Sequence, residues 1–270
     1  MRLADVGPVA AGFWRLALAL PFLALVAWGL GQPVHWPRRG LVVLVAVGTF
    51  FFAADLAAWH TGIHMTKLAN ATLFGNISSF AFAAWGLWLA RRLPSPIQAA
   101  ALLLAGLGAA LLMGSSAELS ARHLRGDLLA LTAGLLYTGY LIAVERARGG
   151  LAPLPLLFLA SAFGAAMLLP LSLALGEPIM PGNWTPVLLL ALGSQVLGQG
   201  LLVYAIGGVP PLVVGIALLT QPAISAVIGW IAYRESLSLL DWLGAAAIAF
   251  ALVLVRLPQR GLRGAEARPT

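Results

Sequence analysis

Apolar runs of membrane-crossing length recur along this chain, separated by short polar breaks. Nine can be read, at 9–30, 41–59, 68–90, 96–114, 127–145, 153–174, 184–206, 211–233 and 237–255. About 20 apolar residues in a helix cross a hydrocarbon core of about 30 Å. The runs lack the apolar–polar alternation of lipid-facing strands. In lipid the backbone must satisfy its own hydrogen bonds, so each run is predicted to be an α-helix. Pro, Gly or Arg mark several of the breaks, as in Gln32-Pro33, Arg38-Arg39-Gly40 and Arg91-Arg92-Leu93-Pro94.

The spans repeat. The stretch 211–235 has an apolar counterpart 143 positions earlier, at 68–92, and the same offset pairs 41–59 with 184–202 and 96–114 with 239–257. A constant offset over three consecutive spans marks an internal repeat of about half the chain. It divides the sequence into a first repeat, 1–114, a second, 115–257, and a polar tail, 258–270, expected to be disordered and cytoplasmic. The partner of 127–145 would fall before Met1, so the first repeat is expected to lack its first helix, through a start assigned too late or a genuine nine-helix form.

Composition sharpens this picture. Hydrophobic residues make up 61% of the 270 positions and charged ones 9%. A water-soluble surface needs about a quarter charged residues, so the chain must be integral to a membrane. The net charge of +7 points to membrane topology and anionic headgroups rather than nucleic acid, because the basic residues sit mostly at span ends. With the C-terminus cytoplasmic, ten Arg fall on inside connections and five Arg or Lys outside. This orientation satisfies the positive-inside rule and makes the two repeats inverted relative to each other. The absence of cysteine excludes disulfides, thiolate metal sites and a cysteine nucleophile. No cleavable signal peptide is evident.

Charged side chains within the spans are costly and need a reason. Arg15 lies about six residues from the outer end of its span and Asp55 about four from the outer end of the next, so they reach similar depth. They are expected to face one cavity, or Arg15 to meet a substrate anion; snorkelling to the headgroups is the competing reading. Asn76, Tyr137, Tyr140, Gln195, Gln199, Thr220 and Gln221 lie near mid-span. Singly such groups are as often glue between helices as cavity lining, but their spread over four spans favours a central polar cavity. Gln195 and Gln199 share a helix face. Pro222 removes a mid-helix hydrogen bond and is the candidate hinge, with Ser79 at the matching place in the first half. Trp59 and Trp85 are further candidates to line the cavity, whereas Trp36, Trp184 and Trp242 read as interfacial anchors. His60 and His64 are expected at headgroup level, with no third ligand for a metal.

Several stretches resemble the EamA-like family of the drug/metabolite transporter superfamily. In the second half these are Gly126-Asp127-Leu128-Leu129-Ala130-Leu131, Tyr204-Ala205, Leu219-Thr220-Gln221-Pro222, Arg234-Glu235 and Gly244. In the first half they are Phe13-Trp14-Arg15 and the stretch from Asp55 through Trp59-His60 to Asn70-Ala71-Thr72-Leu73. The likeness runs from about residue 6 to 256 and departs at the missing first helix, at Ser79 in place of proline, and at Arg92 in place of glutamate. It implies an all-α fold of ten helices in two inverted repeats, here about nine, around a central cavity. It also implies export of small metabolites or amino acids.

The function expected is therefore secondary transport, by alternating access, of a small-molecule substrate outward across a bacterial inner membrane. The substrate would meet Arg15, Asp55, Trp59, Asn76, Tyr137, Tyr140, Gln195, Gln199 and Gln221. Asp55 is the natural proton carrier, and the substrate's own gradient is the alternative energy source. No cofactor or metal is implied, and the oligomeric state is open. The alternatives are a non-transporting scaffold or remnant, or an integral-membrane enzyme. Against the enzyme, His60, His64, His123, Glu118 and Asp127 form no recognisable catalytic motif.

Overall fold

The computed structural model describes residues 5–66, 68–91, 93–114, 123–221, 223–224 and 238–256, all helix or connection with no strand among them. The helices are α1 (Pro8–Gly29), α2 (Arg39–Met65), α3 (Leu68–Gly75), α4 (Ile77–Leu89), α5 (Pro96–Gly114), α6 (Leu124–Ala147) and α7 (Pro153–Ala174). Then come α8 (Trp184–Leu189), running through a π-helical stretch, Leu190–Gln199, into α9 (Gly200–Ile206), followed by α10 (Pro211–Leu218) and α11 (Leu239–Arg256). Five continuous helices among the described residues, with Trp184–Ile206 taken as one, are long and apolar enough to cross a membrane. Outward-facing Leu25, Leu103 and Leu201 are 64%, 69% and 63% exposed, while Arg15 is buried. That is the reverse of a water-soluble protein and suits an all-α membrane fold.

Local sequence accounts for the ends. α1, α5, α7 and α10 each begin on proline, whose missing N–H costs nothing in a first turn. α1 and α7 end alike, on Gly31 and Gly176 with φ of +66° and +65°. Beyond α1, Gly31 N–H donates to Trp28 O and Gln32 N–H to Ala27 O, at 3.1 and 2.8 Å. Beyond α7, Gly176 donates to Leu173 O and Glu177 to Ser172 O, at 3.0 and 3.1 Å. Both are Schellman closures, which need the left-handed backbone that glycine adopts freely.

The bundle is built on close helix pairs: α2 with α6, α5 with α11, α1 with α7, and α4 with α10. Small residues permit the approach. A Cβ on Gly48 of α2 would lie 2.5 Å from the Ala143 Cβ of α6, and one on Gly108 of α5 would lie 2.6 Å from the Gly244 carbonyl of α11. One apolar core joins α1, α2, α6 and α7 through Leu16, Phe52, Leu141 and Leu157. A second joins α5, α10 and α11 through Ala101, Ala105, Ile216 and Ile248.

Two departures from the expected spans bear on function. The run at 68–90 is broken: Asn76 is a turn between α3 and α4. The run at 211–233 breaks at Leu219, 143 positions later and so at the equivalent place. In the second half the sequence has a proline three residues on, a residue with no N–H to give a helical turn. In the first half packing holds the break instead: the Trp59 ring sits where a Gly75 Cβ would be, and Gly134 of α6 lies against the Gly75 carbonyl. The second departure is α2, which continues to Met65, six residues beyond the expected end at 59. Pro222, Glu118, the Arg92, Arg234 and Glu235 of the family likeness, and the tail 258–270 lie outside the described residues.

Candidate functional site

A cavity of about 570 Å³ lies among α1, α2, the α3–α4 break, α6, the π-helical stretch and the residues following α10. α2 supplies most of one wall: Phe52, Asp55, Leu56, Trp59 and His60 recur at helical spacing and face it together. Arg15 enters from α1, Tyr137 from α6, Ser194 and Gln199 from the π-helical stretch, and Gln221 from beyond α10. The break between α3 and α4 brings Asn76 to the wall beside Thr72 and Gly75.

Arg15 is held from behind. Its Nε donates to Gln195 Oε1 at 3.1 Å, and Gln195 Nε2 donates to Ser161 Oγ of α7 at 3.0 Å. Its guanidinium carbon also stands 5.6 Å from the centre of the Phe52 ring, a cation–π distance. Gln199 Nε2 donates to the Tyr137 hydroxyl at 3.2 Å, while Gln199 Oε1 is buried with no partner among the described residues.

The π-helical stretch explains how both glutamines point inward. Val187, Ala191, Gln195, Gln199 and Val203 are buried, at a strict spacing of four. An α-helix closes a turn every 3.6 residues or so, and a stripe repeating every four slides around it. The wider i→i+5 turn of a π-helix slides the other way. Joining α8, the π-helical stretch and α9 keeps the stripe on one face.

Of the residues the sequence nominated, Arg15, Asp55, Trp59, Asn76, Tyr137, Gln199 and Gln221 share this cavity. Gln195 and Tyr140 are buried outside the lining. Gln195 stands behind Arg15, and Tyr140 stacks on Phe52 at 4.6 Å, its hydroxyl without a partner among the described residues. Trp85, the other tryptophan nominated for the wall, also lies elsewhere, its ring 5.0 Å from the Arg146 guanidinium carbon. His60, expected at headgroup level, is buried on the cavity wall, and α2 runs on past residue 59. Both its ring nitrogens lack a hydrogen-bond partner among the described residues. Asp127 proves to be a tie: its carboxylate accepts from Thr66 at 2.6 Å and Asn70 at 3.1 Å, joining α6 to the end of α2 and the start of α3.

Ser161, Phe52 and Ser194 escaped the sequence reading. A serine in an apolar span is too common to single out Ser161, and Phe52 looked like any apolar residue. The strict spacing of four from Val187 to Val203 was the available signal for the glutamine wall. Among the described residues no three His, Asp or Glu side chains cluster as a metal site would require.

One solved protein crystal structure is similar in fold, with a TM-score of 0.79 at 15% sequence identity, covering 94% of this chain and 89% of the other. A relative from Archaeoglobus fulgidus, named only as an uncharacterized transporter, is 25% identical over 242 residues, 86% of this chain and 82% of that protein. The profile of the EamA-like transporter family matches residues 1–114 and 124–257. The resemblance read from the motifs therefore holds, and this chain is a multi-pass membrane protein belonging to the EamA-like transporter family.

Proposed function

We propose that this protein is a secondary transporter that exports a small metabolite or amino acid across the bacterial inner membrane by alternating access. The observation that carries the proposal is the cavity itself, where Arg15 and Asp55 line one chamber without forming an ion pair with each other. Charges within a bilayer that are not spent on each other are expensive to maintain. A substrate that pairs with them gives that expense a purpose. The Arg15 guanidinium suits a carboxylate on the substrate.

The packing supports a two-repeat organisation, 1–114 and 115–257, in opposite orientations. α1 packs on α7 and α5 on α11, and the repeat makes each of these the counterpart of its partner. Self-pairing of equivalent elements is what a two-fold axis between repeats produces. Helices broken at equivalent positions of the two repeats, beside Asn76 and Leu219, fit the discontinuous helices found at transporter substrate sites. With the C-terminus cytoplasmic, the repeats would rock about this chamber. Asp55 would carry the proton that couples export to the gradient.

The test is counterflow in proteoliposomes with a panel of radiolabelled amino acids, organic acids and amines. Saturable exchange of at least one carboxylate-bearing compound, lost in Arg15→Ala, is the expected result. Folded protein that exchanges nothing on the panel would count against transport.

A further inference from the structure

We propose that Gln195 and Ser161 are positioning residues that aim the Arg15 guanidinium, so that its terminal N–H groups form a two-pronged receptor for a carboxylate. The pair does not touch substrate: both side chains are fully buried and absent from the cavity wall.

A guanidinium only donates hydrogen bonds and an amide has one face of each kind, so the Gln195 oxygen must face Arg15. The amide nitrogen is then turned toward Ser161, whose hydroxyl accepts from it. Turning the amide over would set N–H against N–H on the Arg15 side. A hydroxyl can accept or donate, so it is the arginine that sets which way round the amide stands, while the Ser161 contact anchors the far end of the amide in that position.

Because the bond is made to Nε, it occupies the back edge of the guanidinium. The four N–H groups on the terminal nitrogens meet no acceptor among the described residues, and they lie on the side chain's cavity end. The end-on fork, one N–H from each terminal nitrogen, is therefore left for a carboxylate. Phe52, over which the guanidinium sits, limits its remaining tilt. Three contacts, from the π-helical stretch, α7 by way of Gln195, and α2, thus fix one cation and leave its binding edge open.

This inference rests on the transport reading for its kinetic consequence but not for its structural one, and two measurements separate them. In nanodiscs, the ¹⁵N–¹H signal of the Arg15 side-chain Nε, assigned by its loss in Arg15→Lys, is expected to exchange slowly with water. In Gln195→Leu it is expected to exchange fast. In proteoliposomes, the same variant is expected to raise KM for a carboxylate substrate about tenfold, as losing one charge-assisted bond implies. Its maximal rate should stay within about twofold, and KM for the methyl ester of the same compound should not move. Ser161→Ala, which keeps the glutamine, is the milder variant should Gln195→Leu fold poorly; it should shift KM the same way by a smaller factor. A slow Nε signal in both variants, or KM rising equally for acid and ester, would overturn the proposal. Wild-type protein that takes up neither compound would overturn the transport reading, and the exchange rates would still decide the positioning role.

Discussion

At the scale of single residues, the proposed function turns on Arg15 and Asp55, which line one chamber. Lysine at position 15 would keep the charge but could not both accept the Gln195 anchor and present a fork. Arg15→Lys is therefore expected to fold normally, judged by its melting temperature in detergent, and to lose at least about tenfold in transport efficiency. Transport close to that of the wild type would mean that only the positive charge matters. Asp55 makes no hydrogen bond among the described residues, so Asp55→Asn should leave the packing intact. It is expected to keep counterflow and lose the response to an imposed pH gradient. A variant that still responds would assign coupling to another group, of which His60, buried on the same wall, is the first candidate.

At the scale of elements, the bundle depends on close approach, and that can be tested without knowing the substrate. Gly48→Leu would drive a side chain into Ala143 across the α2–α6 contact. Overpacking of this kind costs about 1–3 kcal/mol, which should appear as a lowered melting temperature. Gly40→Ala, with nothing within 4 Å of the added methyl, should melt at or slightly above the wild type, since alanine loses less backbone entropy than glycine. Equal melting of the two variants would contradict the packing. The helices themselves were legible in the sequence because apolar length and proline at first turns are local signals. The break at Asn76 was not, because the first half has Ser79 where the second has Pro222, and the cause lies in Trp59 and Gly134, distant in sequence. The burial of His60 was not legible for a related reason. His60-Thr61-Gly62 looks like a span end, yet α2 is carried past it and tied at Thr66 to Asp127 of α6.

At the scale of the whole molecule, alternating access requires that one chamber meet both sides of the membrane in turn, and contacts at its two ends would have to exchange. At one end Glu177 accepts from the N–H groups of Val9 and Ala10 at 3.3 and 2.8 Å, clamping the start of α1 to the loop after α7. At the other, Arg148 donates from Nε to the Val203 carbonyl of α9 at 3.0 Å, and Arg146 lies over Trp85 of α4. The chain has no cysteine, so a single introduced thiol reports without background. The most direct test is Ser194→Cys, on the chamber wall, exposed to a membrane-impermeant maleimide from each face of oriented vesicles. The account predicts labelling from both faces, in a ratio that a transported substrate shifts. Labelling from one face only, whatever substrate is present, would contradict it.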